Sequence, residues 1–189
     1  MNFDDDLSLL LDKLKWLRLP GMMATIKDIL ETHKKKNLTA LEVVHRLCDE
    51  EKQSRISSAI KRRINDARFP EINTVDRFDF DFDASRKKMK ARYLALHDLS
   101  FIDNGINPLF IGTPGTGKTF LARSLAHRAC QQNKRVICIS APRMLNELHG
   151  AELHGALDLK LRRYLKADLL LVDDFAVLAM DPADRKSVV

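Results

Sequence analysis

The sequence predicts an α/β fold: a parallel sheet with helices packed on it, preceded by a small helical domain. Three observations carry that reading. Residues Gly112 to Thr119 spell Gly-Thr-Pro-Gly-Thr-Gly-Lys-Thr, a complete G-x-x-x-x-G-K-[ST] pattern between an apolar run and a helical one. The apolar stretch Leu169-Leu170-Leu171-Val172 ends in the carboxylate pair Asp173-Asp174, as a buried strand with acids at its carboxyl end would. Leu7, Leu10, Leu11, Leu14 and Leu17 recur at three- and four-residue intervals, the period of an amphipathic helix.

The elements follow in order. The first helix runs to Leu19-Pro20-Gly21, which breaks it, and a second spans about Met22 to Glu31. Lys34 to Asn37 reads as a loop. Thr39-Ala40-Leu41-Glu42 is a capping box opening a third helix that extends to about Arg68, with Ile56, Ile60, Ile64 and Ala67 on one side and Lys52, Arg55, Arg62 and Arg63 on an adjoining one. Phe78-Asp79-Phe80-Asp81-Phe82 alternates like an extended segment, and Ser85 to Leu99 reads as a helix. Residues 107–111 form a buried strand on this reading, 119–131 a helix and 135–139 a second strand. Helices are expected from Pro142 to Leu148 and from Leu157 to Lys166 before the acidic strand. The domains are therefore expected at 1–69, a linker at 70–84, and 85–189.

Each part of the glycine-rich loop has its own chemistry. Gly112, Thr113, Pro114, Gly115, Thr116 and Gly117 let the backbone curl so that its N–H groups converge on phosphate oxygens. Lys118 is placed to reach the β- and γ-phosphates, and the Thr119 hydroxyl to ligate Mg²⁺. Phe120 begins the helix whose dipole adds positive potential. Asp173 is the candidate second holder of Mg²⁺, through water, and Asp174 the candidate for polarising the attacking water, with Lys118 as its catalytic companion.

Composition narrows the remaining classes. The chain is 45% hydrophobic and 31% charged, which is globular rather than disordered, and no apolar run suffices to span a bilayer. Cys48, Cys130 and Cys138 form no C-x-x-C pair, and His149 and His154 are not at the spacing of a helical zinc site, so reduced thiols in the cytoplasm are expected. The acidic start Met1 to Asp6 is unlike a signal peptide. The net charge of +6 is concentrated: six basic residues and one acid from Lys52 to Arg68, and five basic residues from Arg86 to Arg92. Such patches suit phosphate contacts to double-stranded DNA without base reading.

The chain resembles the IstB-like ATP-binding proteins, helper ATPases of insertion-sequence transposition within the AAA+ class, related to DnaC helicase loaders. The resemblance lies in Leu14-Lys15-Trp16-Leu17-Arg18-Leu19-Pro20-Gly21-Met22, in Phe78-Asp79-Phe80, in Gly112 to Thr119 and in Val172-Asp173-Asp174-Phe175. It implies a P-loop NTPase of AAA+ type that binds ATP and Mg²⁺, assembles as a homo-oligomer on duplex DNA and directs a transposase. A helicase loader and an inactive remnant that still binds ATP or DNA are the alternatives. ATP rather than GTP rests on the resemblance. Thr113 stands where the family usually has proline, and Ala176 where a glycine usually follows Asp-Asp-Phe. Family members continue beyond Val189, so the resemblance implies a fold incomplete at its C-terminus and weak or no independent ATP turnover. It also implies that the strand lying between the loop-bearing strand and the Asp173 strand is missing. No arginine in the chain matches the family's arginine finger, Arg185 lying too early.

Overall fold

Helix α1 (Phe3–Trp16) starts with Asp4, Asp5 and Asp6 and ends with Lys13 and Lys15, so its charges oppose its macrodipole at both ends. Leu7 and Leu14, two turns apart, bury one stripe against Ile26 of α2 (Pro20–Lys36). The computed structural model describes residues 3–175, and they group into two units that part between Lys61 and Arg62. The first unit consists of α1, α2 and most of α3 (Ala40–Ala67).

Pro20 does not separate two helices by a stretch of loop; it opens α2, where its missing N–H costs nothing. No side chain at the N-cap serves that end. Glu51, from the middle of α3, does so instead: its Oε2 accepts the N–H of Gly21 at 2.7 Å and of Met22 at 3.3 Å. Burial pushes the Glu51 carboxyl up, but the bonds from Arg55 and these two N–H groups outweigh it and hold it below the usual range. The two helices cross so closely that a Cβ on Gly21 would lie 2.6 Å from the Glu51 Cα and 2.7 Å from the Glu50 carbonyl oxygen. The expected loop at Lys34 starts later. Helix α2 runs on through Lys36, because lysines are good helix formers, and stops at Asn37, whose φ of 47° is left-handed. The capping box is present as read: the Thr39 Oγ1 accepts the Glu42 N–H at 3.2 Å, and Glu42 Oε2 accepts the Thr39 N–H at 2.7 Å.

The second unit begins inside α3, whose last turn buries Ala67 in its core. Helix α4 (Ala84–Leu94) is capped by Asp83, which accepts the Arg86 N–H at 2.8 Å. Residues 95–98 tighten into a 3₁₀ turn, so the helix read to Leu99 ends early, and a one-turn α5 (Ser100–Asp103) follows. After the glycine-rich loop come α6 (Lys118–Gln131), β1 (Val136–Ser140), α7 (Ala141–Leu153), α8 (Leu157–Leu165) and β2 (Leu169–Asp173). The strands β1 and β2 pair in parallel, Val136 opposite Leu169 and Ser140 opposite Asp173. Helix α6 lies on both strands. Its Leu125, Ala126, Ala129 and Cys130 pack with Val136, Leu99 and Phe101, and the alanines let it sit close to the sheet. Burial pushes the Cys130 thiol up to about 11, which makes it an inert packing group.

Two expectations fail here. Residues 107–111 do not form a strand, and Leu109 and Ile111 are 74% and 85% exposed rather than buried. A strand exists only with a hydrogen-bonded neighbour, and among the described residues none lies beside this segment. Residues 78–82 do not extend either. The Asp79 Oδ1 accepts the Asp81 N–H at 2.9 Å, the side-chain turn aspartate favours, and Phe80 is buried against Tyr93 and Leu121. Among the described residues no helix is long and apolar enough to cross a membrane.

Glu147 ties α7 to α8. It accepts from Lys160 at 2.6 Å, from the Tyr164 hydroxyl at 2.8 Å and from Arg143 at 3.1 Å. The Lys160 bond, with those of Tyr164 and Arg143, overcomes burial and holds the Glu147 carboxyl down at about 2. Burial and the bond to Glu147 push the Tyr164 hydroxyl up to about 12. Because the folded-state value lies below the unfolded one, the stabilisation is complete above the unfolded value and is lost as pH falls through the folded one. Glu147→Gln should therefore cost on the order of 2 kcal/mol at neutral pH, with a gap from wild type that closes between roughly pH 5 and pH 2. Denaturant titration across that range checks this; a gap independent of pH would contradict it. Gly21→Ala should destabilise the helical unit by about 1–3 kcal/mol, since backbone atoms must move to admit the methyl. An unchanged melting profile by circular dichroism would refute the close crossing.

Candidate functional site

The Gly112–Thr119 loop enters α6 through backbone that only glycine adopts freely. Gly115 has φ 81° and Gly117 φ 90°. A Cβ on Gly117 would also lie 2.4 Å from the Phe78 ring. The Phe78 ring meets Phe80 edge-on at 4.8 Å and lies tilted against Phe120 at 5.6 Å, and the Arg86 guanidinium lies 4.9 Å from its ring and 4.6 Å from that of Phe82. The aromatic segment thus backs the loop where the helix starts. Thr113 closes the loop on itself, its carbonyl accepting from Thr116 Oγ1 at 2.9 Å and from Lys118 Nζ at 2.8 Å. Among the described residues, the N–H groups of Gly115, Thr116 and Gly117 donate to no protein acceptor. They stand with the open N–H groups of the first turn of α6, an arrangement that attracts anions.

The acidic strand end meets this loop. The Thr119 hydroxyl donates to Asp173 Oδ1 at 2.9 Å across 54 residues of sequence. The other carboxylate oxygen, Oδ2, accepts from Arg123 Nη2 at 2.8 Å. Both partners are shielded, with side chains 20% and 14% exposed. The Asp174 N–H folds back to Asp173 Oδ1 at 3.0 Å, which its left-handed φ of 54° permits. The Asp174 side chain is exposed, as are Gly112, Thr113, Pro114 and Gly115, while Thr116 to Phe120 are half-buried. The structure therefore brings Thr119 and Asp173 into contact, sets Lys118 on the loop's own carbonyl, and leaves Asp174 at the rim. Ala176 and Arg185 lie outside the described residues.

The donor set suits a hard, oxygen-seeking cation. A hydroxyl and one carboxylate with backbone donors nearby are what Mg²⁺ takes when phosphates supply the remaining ligands. Among the described residues no cluster of three His, Cys, Asp or Glu side chains could hold a metal alone.

A family model described as IstB-like ATP binding protein matches residues 12–189. The chain belongs to this family. It is 33% identical over 88% of its length to the ATP-binding protein of insertion sequence IS5376 from Geobacillus stearothermophilus, covering 65% of that protein. It is 30% identical over 92% of its length to the ATP-binding protein of insertion sequence IS232 from Bacillus thuringiensis, covering 68% of it. Against the ATP-binding protein of insertion sequence IS21 from Pseudomonas aeruginosa, the identity is 28% over 93% of the chain and 64% of the relative. The IstB-like chain thus spans about two thirds of the length of these relatives.

Arg123 and Phe78 are the residues that sequence reasoning missed. Arg123 had a local signal: it stands four positions after Thr119, so one face of α6 presents both to the same strand end. Phe78 had none that singled it out from the neighbouring phenylalanines. A double-mutant cycle on Arg123→Ala and Asp173→Ala should return a coupling of about 1–2 kcal/mol in unfolding free energy, because each single change strands a shielded charge. Additive effects would mean the pair contributes nothing to this IstB-like chain.

Proposed function

We propose that this chain binds ATP with Mg²⁺ at Gly112–Thr119 and serves insertion-sequence transposition, holding duplex DNA and assisting a transposase, with ATP hydrolysis as the switch. The observation that carries the reading is the 2.9 Å contact between Thr119 and Asp173, which sets the two candidate cation holders side by side at the mouth of the glycine loop. The loop N–H groups and the start of α6 would receive the phosphates. Lys118 would exchange the Thr113 carbonyl, which it now bonds at 2.8 Å, for the β- and γ-phosphate oxygens. Thr119 and Asp173 would hold Mg²⁺, which supplies charge neutralisation on the phosphates. Asp174, exposed beside them, would orient and polarise the attacking water. The names of the relatives, ATP-binding proteins of insertion sequences, support ATP and the transposition setting. The net charge of +6 supports DNA, and assembly of several copies on DNA in the cytoplasm completes the proposal.

Equilibrium binding of a fluorescent ATP analogue tests it. Wild type should bind in the presence of Mg²⁺, and Lys118→Ala should weaken binding at least about tenfold, the worth of one charge-assisted contact of 1.5–3 kcal/mol. Equal affinities would mean that the loop is not a nucleotide site.

A further inference from the structure

At the end of the second unit away from Lys118, the last turn of α3, the start of β1 and the C-terminal half of α8 frame a groove of about 620 Å³. Its charged lining is Arg68, Arg135, Arg162, Arg163 and Lys166, against one acid, Asp66. All five cations are exposed to solvent. Elsewhere in this unit, Arg123 pairs with Asp173, Lys134 with Asp103 and Lys160 with Glu147. Among the described residues, none of the five groove cations has a carboxylate within ion-pair distance. The Arg135 Nη1 bonds the Lys166 carbonyl at 3.0 Å, which fixes that guanidinium on the groove wall. Arg162 lies in the last turn of α8 and Lys166 is the residue that caps it, four positions on, so the two present charge along one line.

We propose that this groove is a phosphate-backbone seat for duplex DNA. Five like charges on one concave surface repel one another, and Asp66 is the one acid in the lining to offset them. A polyanion relieves that repulsion and gains counterion release for each phosphate engaged. The lining has no aromatic side chain on which a base could stack, so a single strand held by its bases is a poor fit and backbone contact a good one. The seat is separate from the nucleotide loop, and none of its residues belongs to that site. It deepens the proposed function, resting on the reading that the chain works on DNA, and it gives that reading a location the basic runs Lys52–Arg68 and Arg86–Arg92 do not single out.

The test compares two triple variants of the full chain that each remove three positive charges. One is Arg68→Gln, Arg162→Gln and Lys166→Gln in the groove; the other is Lys87→Gln, Lys88→Gln and Arg92→Gln on α4. Binding of a fluorescent duplex of roughly 30 base pairs is followed by anisotropy over a range of salt. The groove variant should lose at least about tenfold in affinity at 0.1 M salt, and its log–log salt slope should fall by about 2–3, while the α4 variant changes less than about twofold. Retained binding of the ATP analogue certifies that both variants are folded. Ultraviolet crosslinking of the unmodified chain to duplex, mapped by mass spectrometry, should mark peptides containing residues 135–137 and 159–166. Equal losses in the two variants, crosslinks confined elsewhere, or displacement of the duplex by polyglutamate at equal charge would overturn the seat while leaving DNA binding intact. Absence of duplex binding by the unmodified chain would overturn the DNA reading itself, and the seat with it.

Discussion

The Asp173 carboxylate is shared between two residues of one helix, and the arrangement of the second unit turns on that sharing. Among the described residues strand β2 pairs with β1 alone, so no second strand fixes its C-terminal end there. The bonds from Thr119 and Arg123 do that work from the side, at 2.9 and 2.8 Å. Hydrogen bonds to an ionised group contribute about 1.5–3 kcal/mol each, and these are shielded enough to keep much of it. Together they set where the carboxylate stands relative to the first turn of α6. The same two contacts that hold the strand end therefore fix the spacing between the candidate cation holders.

Around that tie the loop is shaped by exclusion as much as by bonding. Gly117 carries a left-handed φ and faces the Phe78 ring at a distance no methyl group could share. The ring is held by Phe80 and Phe120 and covered by the Arg86 guanidinium, so it forms a wall that does not yield easily. This is a physical link between two segments 30 residues and more apart in sequence. Phe78 of the Phe-Asp-Phe run is the surface against which the glycine loop turns.

How far the sequence was legible follows from the range of the interactions involved. The capping box at Thr39 and Glu42, the longer helices and the paired strands were readable because a local period or a three-residue motif specifies them. The meeting of Thr119 with Asp173 was readable because the glycine loop opens a helix and the acids end a strand, and that helix lies on that strand. The capping of α2 by Glu51 was not, since a helix N-terminus served by a side chain 30 residues away leaves no local trace. Gly21 was read as a breaker because glycine beside proline usually is one; its role in a close helix crossing is a tertiary fact. Residues 107–111 were misread for the complementary reason. Their apolar pattern specifies a strand only when a neighbour is present to pair with it.

The state of residues 107–111 bears on how the loop is held. In an open α/β sheet a phosphate loop is normally gripped from both sides, by the strand before it and the helix after it. Here the preceding segment pairs with no strand among the described residues, and Leu109 and Ile111 are largely in solvent. The grip therefore comes from the helical side. Leu121 is anchored by the Tyr93 hydroxyl on its carbonyl at 3.1 Å and by Phe80, and Thr119 by Asp173. The Thr113 carbonyl, held by Lys118 and Thr116, closes the far side of the loop on the near side rather than on a strand. A loop so constructed has its helical half, Gly117 to Thr119, set by the fold and its entering half, Gly112 to Pro114, set mainly by bonds internal to the loop. The lysine that closes those internal bonds is the same one that phosphates would claim on the proposed function, so occupation of the site and reshaping of the entering half would be one event.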